Sequence, residues 1–381
     1  MSNVTELKSN KRSGIVICGS YGQGNAGDES ILKAILQEIR AVAPQEEITV
    51  LSRNPAETEA LHSVRALHMF DLPALHKAFR RARLYVNGGG SLIQDITSRR
   101  SLWYYLYTLR TAKRCGCKVM MYGCGIGPVN HPKDIAMTRK TLNRYVDTIT
   151  LREDASLREL QRFGVTRPKT VLASDPALTL KRADDAAIDA LMERSGLDPH
   201  GNYIGLCLRN WSGFSEKSGV FAALIHHAVE AHGLTPVFIS INHRSDGGAA
   251  DQVITQLDTA IVPNTPFVTR QPLSTEETLG LMSRMQAVVS MRLHGLIFAA
   301  GQGIPLIGVV YDPKVRAFLD YMEQPLYQNL NEITEDSLGR LLEQALTLRD
   351  NRAALSDAVA KLRSVESNNT AALLQLLSAA D

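Results

Sequence analysis

Apolar positions along the chain fall into short continuous runs that alternate with amphipathic stretches. Gly14-Ile-Val-Ile-Cys18 is a brief apolar run ending in glycines, the mark of a strand buried on both faces. Ile31, Leu32, Ile35, Leu36 and Ile39 follow at helical spacing and predict a helix that turns one stripe to a sheet. Further strands are predicted at Ile48–Leu51, Leu84–Asn87, Lys118–Tyr122, Thr148–Leu151 and Thr170–Leu172, with helical stretches between them. Strands alternating with helices in this way predict right-handed βαβ units and a parallel sheet.

The pattern restarts after a polar, helix-like bridge, Ala183–Ser195, that runs into Gly196, Pro199 and Gly201. Strands are predicted there at Tyr203–Leu208, Thr235–Ser240, Pro266–Thr269, Ala287–Ser290 and Leu306–Val310, and Ser274-Thr-Glu-Glu277 reads as a capping box. From Glu335 onward the chain is helical and amphipathic and is expected to pack as a closing clamp. The expected organisation is a disordered tail over 1–13, an N-terminal α/β domain over 14–180, a C-terminal α/β domain over 181–330, and C-terminal helices over 331–381. Two doubly wound, Rossmann-like parallel sheets then face one another across a cleft. A length of 381 residues suits two cores of roughly 150–200 residues each.

Composition narrows the partners. A formal charge of +3 and a pI near 8.5 are too mild for a nucleic-acid binder, which concentrates basic residues and usually exceeds a pI of ~9. Met1–Lys11 is polar and has no apolar core of a secretory signal. The longest apolar candidate, Ala287–Tyr311, is interrupted by Arg292 and His294, so no membrane span is expected. Five cysteines lack metal-ligand spacing, and Cys115-Gly-Cys117 has no second pair, so reduced thiols and a cytoplasmic chain are expected.

Candidate chemistry lies at the ends of predicted strands. Gly19-Ser-Tyr-Gly22-Gln-Gly24-Asn25-Ala-Gly27-Asp28-Glu29 contains a literal GxGxxG. It begins beyond the strand tip, however, and Leu51-Ser52-Arg53 supplies no acid at the second strand's end, which argues against dinucleotide binding. What remains is a loop whose backbone can approach a ligand, with Asp28 either capping the next helix or facing the cleft as a base. Asn87-Gly88-Gly89-Gly90-Ser91 reads as a second loop, either with room for a bulky ligand or as a structural turn. After Asp95, the stretch Ser98-Arg99-Arg100-Ser-Leu-Trp103-Tyr104-Tyr105-Leu-Tyr107 suits sugar rings, diphosphates and anionic lipid heads, or else forms an ordinary helix with an aromatic core stripe.

In the second half, Arg209, the pair Arg292 and His294, and Lys314 each follow a separate predicted strand. Open α/β sheets gather ligands at this edge, and convergent cations there form a trap for phosphate and carboxylate. An arginine and a histidine inside the apolar stretch Val288–Val310 need a partner, because burying them unpaired costs several kcal/mol. That partner is either a ligand or a protein carboxylate or backbone group. Arg152, at the end of Thr148–Leu151, belongs to the same class.

Five segments in register, Gly19 to Leu32, Asn87 to Asp95, Leu151 to Ser156, Arg292 to Ala299 and Tyr311 to Val315, resemble the polysaccharide pyruvyltransferase family over roughly residues 14–330. The likeness is greatest to the bacterial branch that modifies secondary cell-wall polymers, the CsaB-type enzymes. The resemblance implies a glycosyltransferase-B-like fold, phosphoenolpyruvate as donor and a ketal-linked pyruvate as product. It implies an acceptor N-acetylmannosamine in a lipid-diphosphate-linked disaccharide, modified on the cytoplasmic side, and a polymer that S-layer proteins grip. The family's donor-site Arg-Leu-His falls on Arg292, Leu293 and His294, its lysine on Lys314, and a further arginine on Arg152.

Expected roles follow from the chemistry. His294 is the candidate acid for the donor's C3, with Arg292, Leu293, Lys314, Arg209 and Arg152 on the donor. Asp28 is the first-choice base and Asp95 the second. Gly22, Asn25, Gly89, Gly90, Asp95, Arg99, Arg100 and Tyr104 are expected to meet the acceptor. No metal and no cofactor beyond the co-substrate is expected, and peripheral contact with the inner membrane leaflet is. The competing expectation is a nucleotide-sugar glycosyltransferase on the same fold.

Overall fold

A computed structural model describes residues 12–350 and 353–378, so the expected tail lies, up to residue 11, outside the described residues. The first unit runs β1 (Ile15–Cys18), α1 (Ala26–Val42), β2 (Ile48–Ser52), α2 (Pro55–His62), β3 (Arg65–His68), α3 (Leu72–Arg81) and β4 (Leu84–Ile93). It continues through α4 (Arg99–Arg114), β5 (Lys118–Ile126), α5 (Pro132–Tyr145), β6 (Thr148–Leu151), α6 (Asp154–Phe163) and β7 (Lys169–Leu172). The strands form one parallel sheet in the order β3-β2-β1-β4-β5-β6-β7.

A 3₁₀ turn at Pro176–Thr179 and α7 (Asp185–Arg194) lead into the second unit. There follow β8 (Tyr203–Cys207), α8 (Phe214–His232), β9 (Thr235–Phe238), α9 (Gly247–Ile254), β10 (Phe267–Val268) and α10 (Thr275–Ser283). Then come β11 (Met285–Ser290), α11 (Leu293–Gly301), β12 (Leu306–Val310), α12 (Pro313–Tyr321) and β13 (Tyr327–Asn329). These strands are also all parallel, in the order β10-β9-β8-β11-β12-β13. The capping box at Ser274 and Glu277 opens α10 with both of its hydrogen bonds in place.

Two strands escape the apolar pattern. β3 and β13 are edge strands of four and three residues whose side chains are only partly covered, so neither needs a continuous apolar run. The glycine run at 87–91 is not a loop: β4 carries on through it to Ile93, paired with a lengthened β5. Gly89 and Gly90 take φ of 40° and 71°, where the register shifts between Gly90 and Ile93. A Cβ on Gly89 would sit 2.1 Å from Ile31 Cγ2, so the missing side chain lets α1 lie flat on the strand.

The two units touch through backbone as well as side chains. Asn25 and Asn242 form an antiparallel bridge, and the Ala26 N–H donates to the Ile241 carbonyl at 2.7 Å. The last helices divide: α13 (Glu335–Asp350) lies on the second unit, while α14 (Ala353–Ser378) returns to the first, where Asn368 Nδ2 donates to the Leu172 carbonyl. α14 also reaches the second unit, where Arg363 Nη2 donates to the Gly301 carbonyl at 2.7 Å, so this helix spans both units.

Each sheet reverses its strand order once, between β1 and β4 in the first and between β8 and β11 in the second. Ligands of open α/β sheets collect at such reversals. Both reversals open into the same space between the units.

Candidate active site

A cavity of about 400 Å³ lies where the two reversals meet. Its first wall comes from the loop after β1 (Ser20, Asn25), from Asp28 in the first turn of α1, from Gly90 and Ser91 of β4, and from Arg152 after β6. The opposite wall holds Arg209 after β8, Arg292, Leu293 and His294 after β11, and Tyr311 and Lys314 after β12.

Asn25, not Asp28, caps α1: its side-chain oxygen accepts from the Gly27 N–H at 3.0 Å. The Asn25 amide then donates to Asp28 Oδ2 at 2.7 Å, which holds that carboxylate toward the cavity. Burial pushes the Asp28 pKa up to about 7 and the neighbouring Glu29 adds to it, against opposing pulls from Lys314, the Ser20 hydroxyl and Arg152. A carboxyl poised near neutrality is suited to proton transfer.

On the facing wall, α11 begins at Leu293 with Arg292 at its N-cap and no side chain capping its first turn. Its dipole end and free N–H groups therefore open toward the cavity, an arrangement that favours an anion. A Cβ on Gly295 would lie 2.4 Å from Ser290 Oγ and 2.8 Å from Cys207 Cβ, so only glycine lets the helix start this close to the strand ends.

His294 is buried, with Nε2 lacking a hydrogen-bond partner and standing 3.7 Å from Asp175 Oδ2. Burial drives its pKa down to about 3, and Arg152, Lys314 and Arg292 push the same way. In this structure the imidazole is therefore neutral at physiological pH, even with the Asp175 carboxyl 3.7 Å away.

The cations differ in how they are balanced. Arg292 grips Asp246 with Nε at 3.0 Å and with Nη2, which also meets Ser245 Oγ at 3.0 Å. Its burial is thus matched by a protein carboxylate, one of the two partners the apolar stretch required. Arg152 donates to Glu153 at 2.7 Å, to Asp175 at 3.3 Å and to Ser91 at 2.8 Å. Lys314 Nζ lies 3.2 Å from Asp312 Oδ2. Arg209 differs: Nη1 donates to the Tyr311 hydroxyl at 2.6 Å, and its guanidinium lies 4.6 Å over Trp211 and 5.2 Å over Tyr311. Among the described residues it has no carboxylate partner.

Several expected acceptor residues lie elsewhere. Gly22 packs against Ser52 and Asn54, where its Cβ would meet Ser52 Oγ at 2.3 Å, and Gly89 lies under Ile31. Asp95 accepts from the Asn130 and His131 N–H groups, both at 2.8 Å, and pins the loop after the Gly127-Pro128 cis bond instead of reaching the cavity as a base. Arg99 is paired with Asp134, Arg100 is exposed outside the cavity, and the Tyr104 hydroxyl donates to the Met69 carbonyl at 2.6 Å. Tyr105 lines the cavity instead, one position away. Asn25 and Gly90 do line it.

Sequence reasoning missed Asp246, Asp175 and Tyr311. The demand of a buried arginine for a carboxylate pointed to some acid, but nothing distinguishes Asp246 in its loop. Asp175 carried a turn signal, Ser-Asp-Pro, directly after β7. All five cysteines are free. Among the described residues one group could hold a metal, His227, His232 and Glu343, and none of its members lines the cavity.

Two parallel α/β units with a cationic cleft between them define the class: a two-domain enzyme of glycosyltransferase-B-like fold. Solved structures share that fold. Anabaena HepE, in complex with UDP-glucose, aligns over 97% of this chain and all of its own with a TM-score of 0.65 at 11% identity. The Escherichia coli ADP-heptose heptosyltransferase II covers 88% of this chain and 99% of its own, with a TM-score of 0.53 at 14% identity. The model of the family described as polysaccharide pyruvyl transferase matches residues 25–313, and the chain belongs to that family. A curated relative, the amylovoran biosynthesis protein AmsJ of Erwinia amylovora, is 21% identical over 91% of this chain and 94% of its own. The protein is accordingly a polysaccharide pyruvyltransferase, an enzyme that transfers a pyruvyl group to a polysaccharide. Among the described residues no helix is long and apolar enough to cross a membrane.

Proposed function

We propose that the chain moves the enolpyruvyl group of phosphoenolpyruvate onto two hydroxyls of one sugar of a bacterial cell-wall glycan, releasing phosphate. The observation that carries the donor is the unbalanced charge of Arg209, facing the uncapped start of α11 in a cavity that also holds Arg292, Lys314 and Arg152. A small ligand with a phosphate and a carboxylate matches two such anion seats.

In this reading the donor's own charge sets the protonation state of His294. Burial first, and then three cations, hold the imidazole neutral; the bound anion opposes both, so its pKa rises on binding and the ring can carry a proton to C3. C2 becomes oxocarbenium-like and one sugar hydroxyl attacks it, giving its proton to Asp28, whose pKa of about 7 leaves much of it ionised at neutral pH. The C2–O bond to phosphate breaks while Arg209, Arg292 and Lys314 stabilise the departing charge. The second hydroxyl closes the ring. Of the two hydroxyl protons, one replaces that given to C3 and one leaves on phosphate, so the reaction balances without a cofactor.

For the acceptor, the resemblance to enzymes of secondary cell-wall polymers supports a 4,6-ketal on N-acetylmannosamine of a lipid-diphosphate-linked disaccharide, at the cytoplasmic face. Its product would belong to the polymers on which S-layers anchor. The likeness to an amylovoran biosynthesis protein supports a bacterial polysaccharide more broadly. Calorimetric titration tests the donor: phosphoenolpyruvate should bind the wild type, and Arg209→Ala should lose most of that affinity. Equal binding by both proteins, or binding of UDP-sugar in its place, would reject this donor seat.

A further inference from the structure

Seven large apolar side chains are exposed among the described residues, and four of them gather at one end of a single helix pair. Phe70, Leu72, Ile96 and Trp103 are 50%, 43%, 44% and 43% exposed, and lie just before α3, in its first turn, just before α4, and in its second turn. Phe70 packs edge-on against Tyr104 of α4 at 5.3 Å, and His76 of α3 lies 6.4 Å from Tyr107, so the two helices present one surface. Burial does not explain these side chains, and the cavity uses only Ile96.

Charge on the same pair is one-sided. α3 and α4 carry eight lysines and arginines and no aspartate or glutamate. Asp134 neutralises Arg99 and Asp147 neutralises Lys113. Lys77, Arg80, Arg81, Arg100, Arg110 and Arg114 have no carboxylate partner among the described residues. A shallow groove along α3 joins the two characters, since Leu72, Pro73 and His76 line it together with Lys77, Arg80 and Arg81. Protruding apolar groups beside basic side chains match a bilayer interface, where rings and aliphatic chains enter the headgroup layer and cations meet anionic lipid. A soluble polyanion would use the charge but would gain nothing from Phe70 or Leu72.

We infer that the α3–α4 face docks the enzyme on an anionic lipid surface. The cavity opens beside this face, because Ile96, Thr97 and Ser101 line it where α4 begins. Docking there would bring the cleft to the headgroups, where a lipid-linked acceptor presents its sugar. That consequence rests on the acceptor proposed above, but membrane binding itself does not.

The test is co-sedimentation of the full-length protein with vesicles of phosphatidylcholine alone or mixed with phosphatidylglycerol. Binding should require phosphatidylglycerol and should weaken in high salt. The variant Lys77→Glu/Arg80→Glu/Arg81→Glu should lose more than about 100-fold in partitioning, from roughly fivefold per charge. Phe70→Ser/Leu72→Ser should lose at least about tenfold with all charges retained. Both variants should keep wild-type Tm and wild-type turnover of a soluble acceptor analogue, because none of these residues lines the cavity. Failure to bind anionic vesicles, or equal binding by the wild type and both variants, would overturn the inference. So would loss in the charge variant alone, which would assign the face to a soluble polyanion. None of these readings depends on the donor, so the vesicle result stands or falls separately from the proposed reaction.

Discussion

A single methyl group added at Gly27 should stop catalysis without unfolding the protein. Gly27 lies in the first turn of α1, and a Cβ there would sit 2.2 Å from His294 Nδ1 and 2.4 Å from Cγ. Restoring ordinary contact near 3.4 Å requires a shift of about 1.2 Å at the closest pair. The ring has little room to give, being buried between Phe298 at 5.9 Å and Asp175 at 3.7 Å. Two effects on stability oppose one another: alanine favours the helix by about 0.5–1 kcal/mol over glycine, and overpacking costs about 1–3 kcal/mol. The net loss is small enough for the fold to persist. Catalysis tolerates much less, since a misplacement of about 1 Å can cost about 100-fold in rate. The assay pairs phosphate release from phosphoenolpyruvate in the presence of glycan with thermal unfolding. Gly27→Ala should keep a Tm within a few degrees of wild type and lose about 100-fold in kcat. Full activity at unchanged Tm would refute the tight approach of α1 to His294, and with it the role of that ring.

Other substitutions probe the remaining parts. Asp28→Asn should lower kcat by about 10²–10⁴-fold and remove the limb of the pH profile that rises through pH 7, because the base must be ionised to act. The same variant should be the more stable protein above pH 7. A carboxyl whose folded pKa is raised binds its proton more tightly when folded, so the stability this lends is full below the unfolded value of 3.8 and lost as pH rises through about 7. An unchanged pH profile or a lowered Tm at pH 8 would count against the site as described. Asp246→Ala leaves Arg292 buried beside an empty carboxylate position and should cost about 3–5 kcal/mol in urea unfolding. A loss below about 1 kcal/mol would mean that Arg292 is solvated. His294→Ala should abolish turnover while the far-UV circular dichroism of the fold survives, and retained turnover would remove its assigned role.

Much of this was readable from the chain because buried parallel strands are short, apolar and punctuated. β6 and β12 fall where Thr148–Leu151 and Leu306–Val310 predict them. β3 and β13 were illegible since edge strands need not be apolar. The cations at strand ends could be found because charge inside Val288–Val310 has to be explained. The acid that balances Arg292 could not, because Asp246 acts on it across 46 positions and no local spacing encodes that pairing. The glycine run at 87–91 misled for a related reason: a glycine needed for close approach of α1 looks the same as one needed for a turn. Arg99 and Tyr104 were chosen by residue type, and tertiary partners claimed both.

Product analysis by mass spectrometry bears most directly on the reaction itself. Incubated with phosphoenolpyruvate and a lipid-diphosphate disaccharide analogue, the enzyme should yield a glycan heavier by one pyruvate ketal, with one phosphate released per ketal formed. A glycan left unmodified by phosphoenolpyruvate but extended by a hexose from a UDP-sugar would contradict the account.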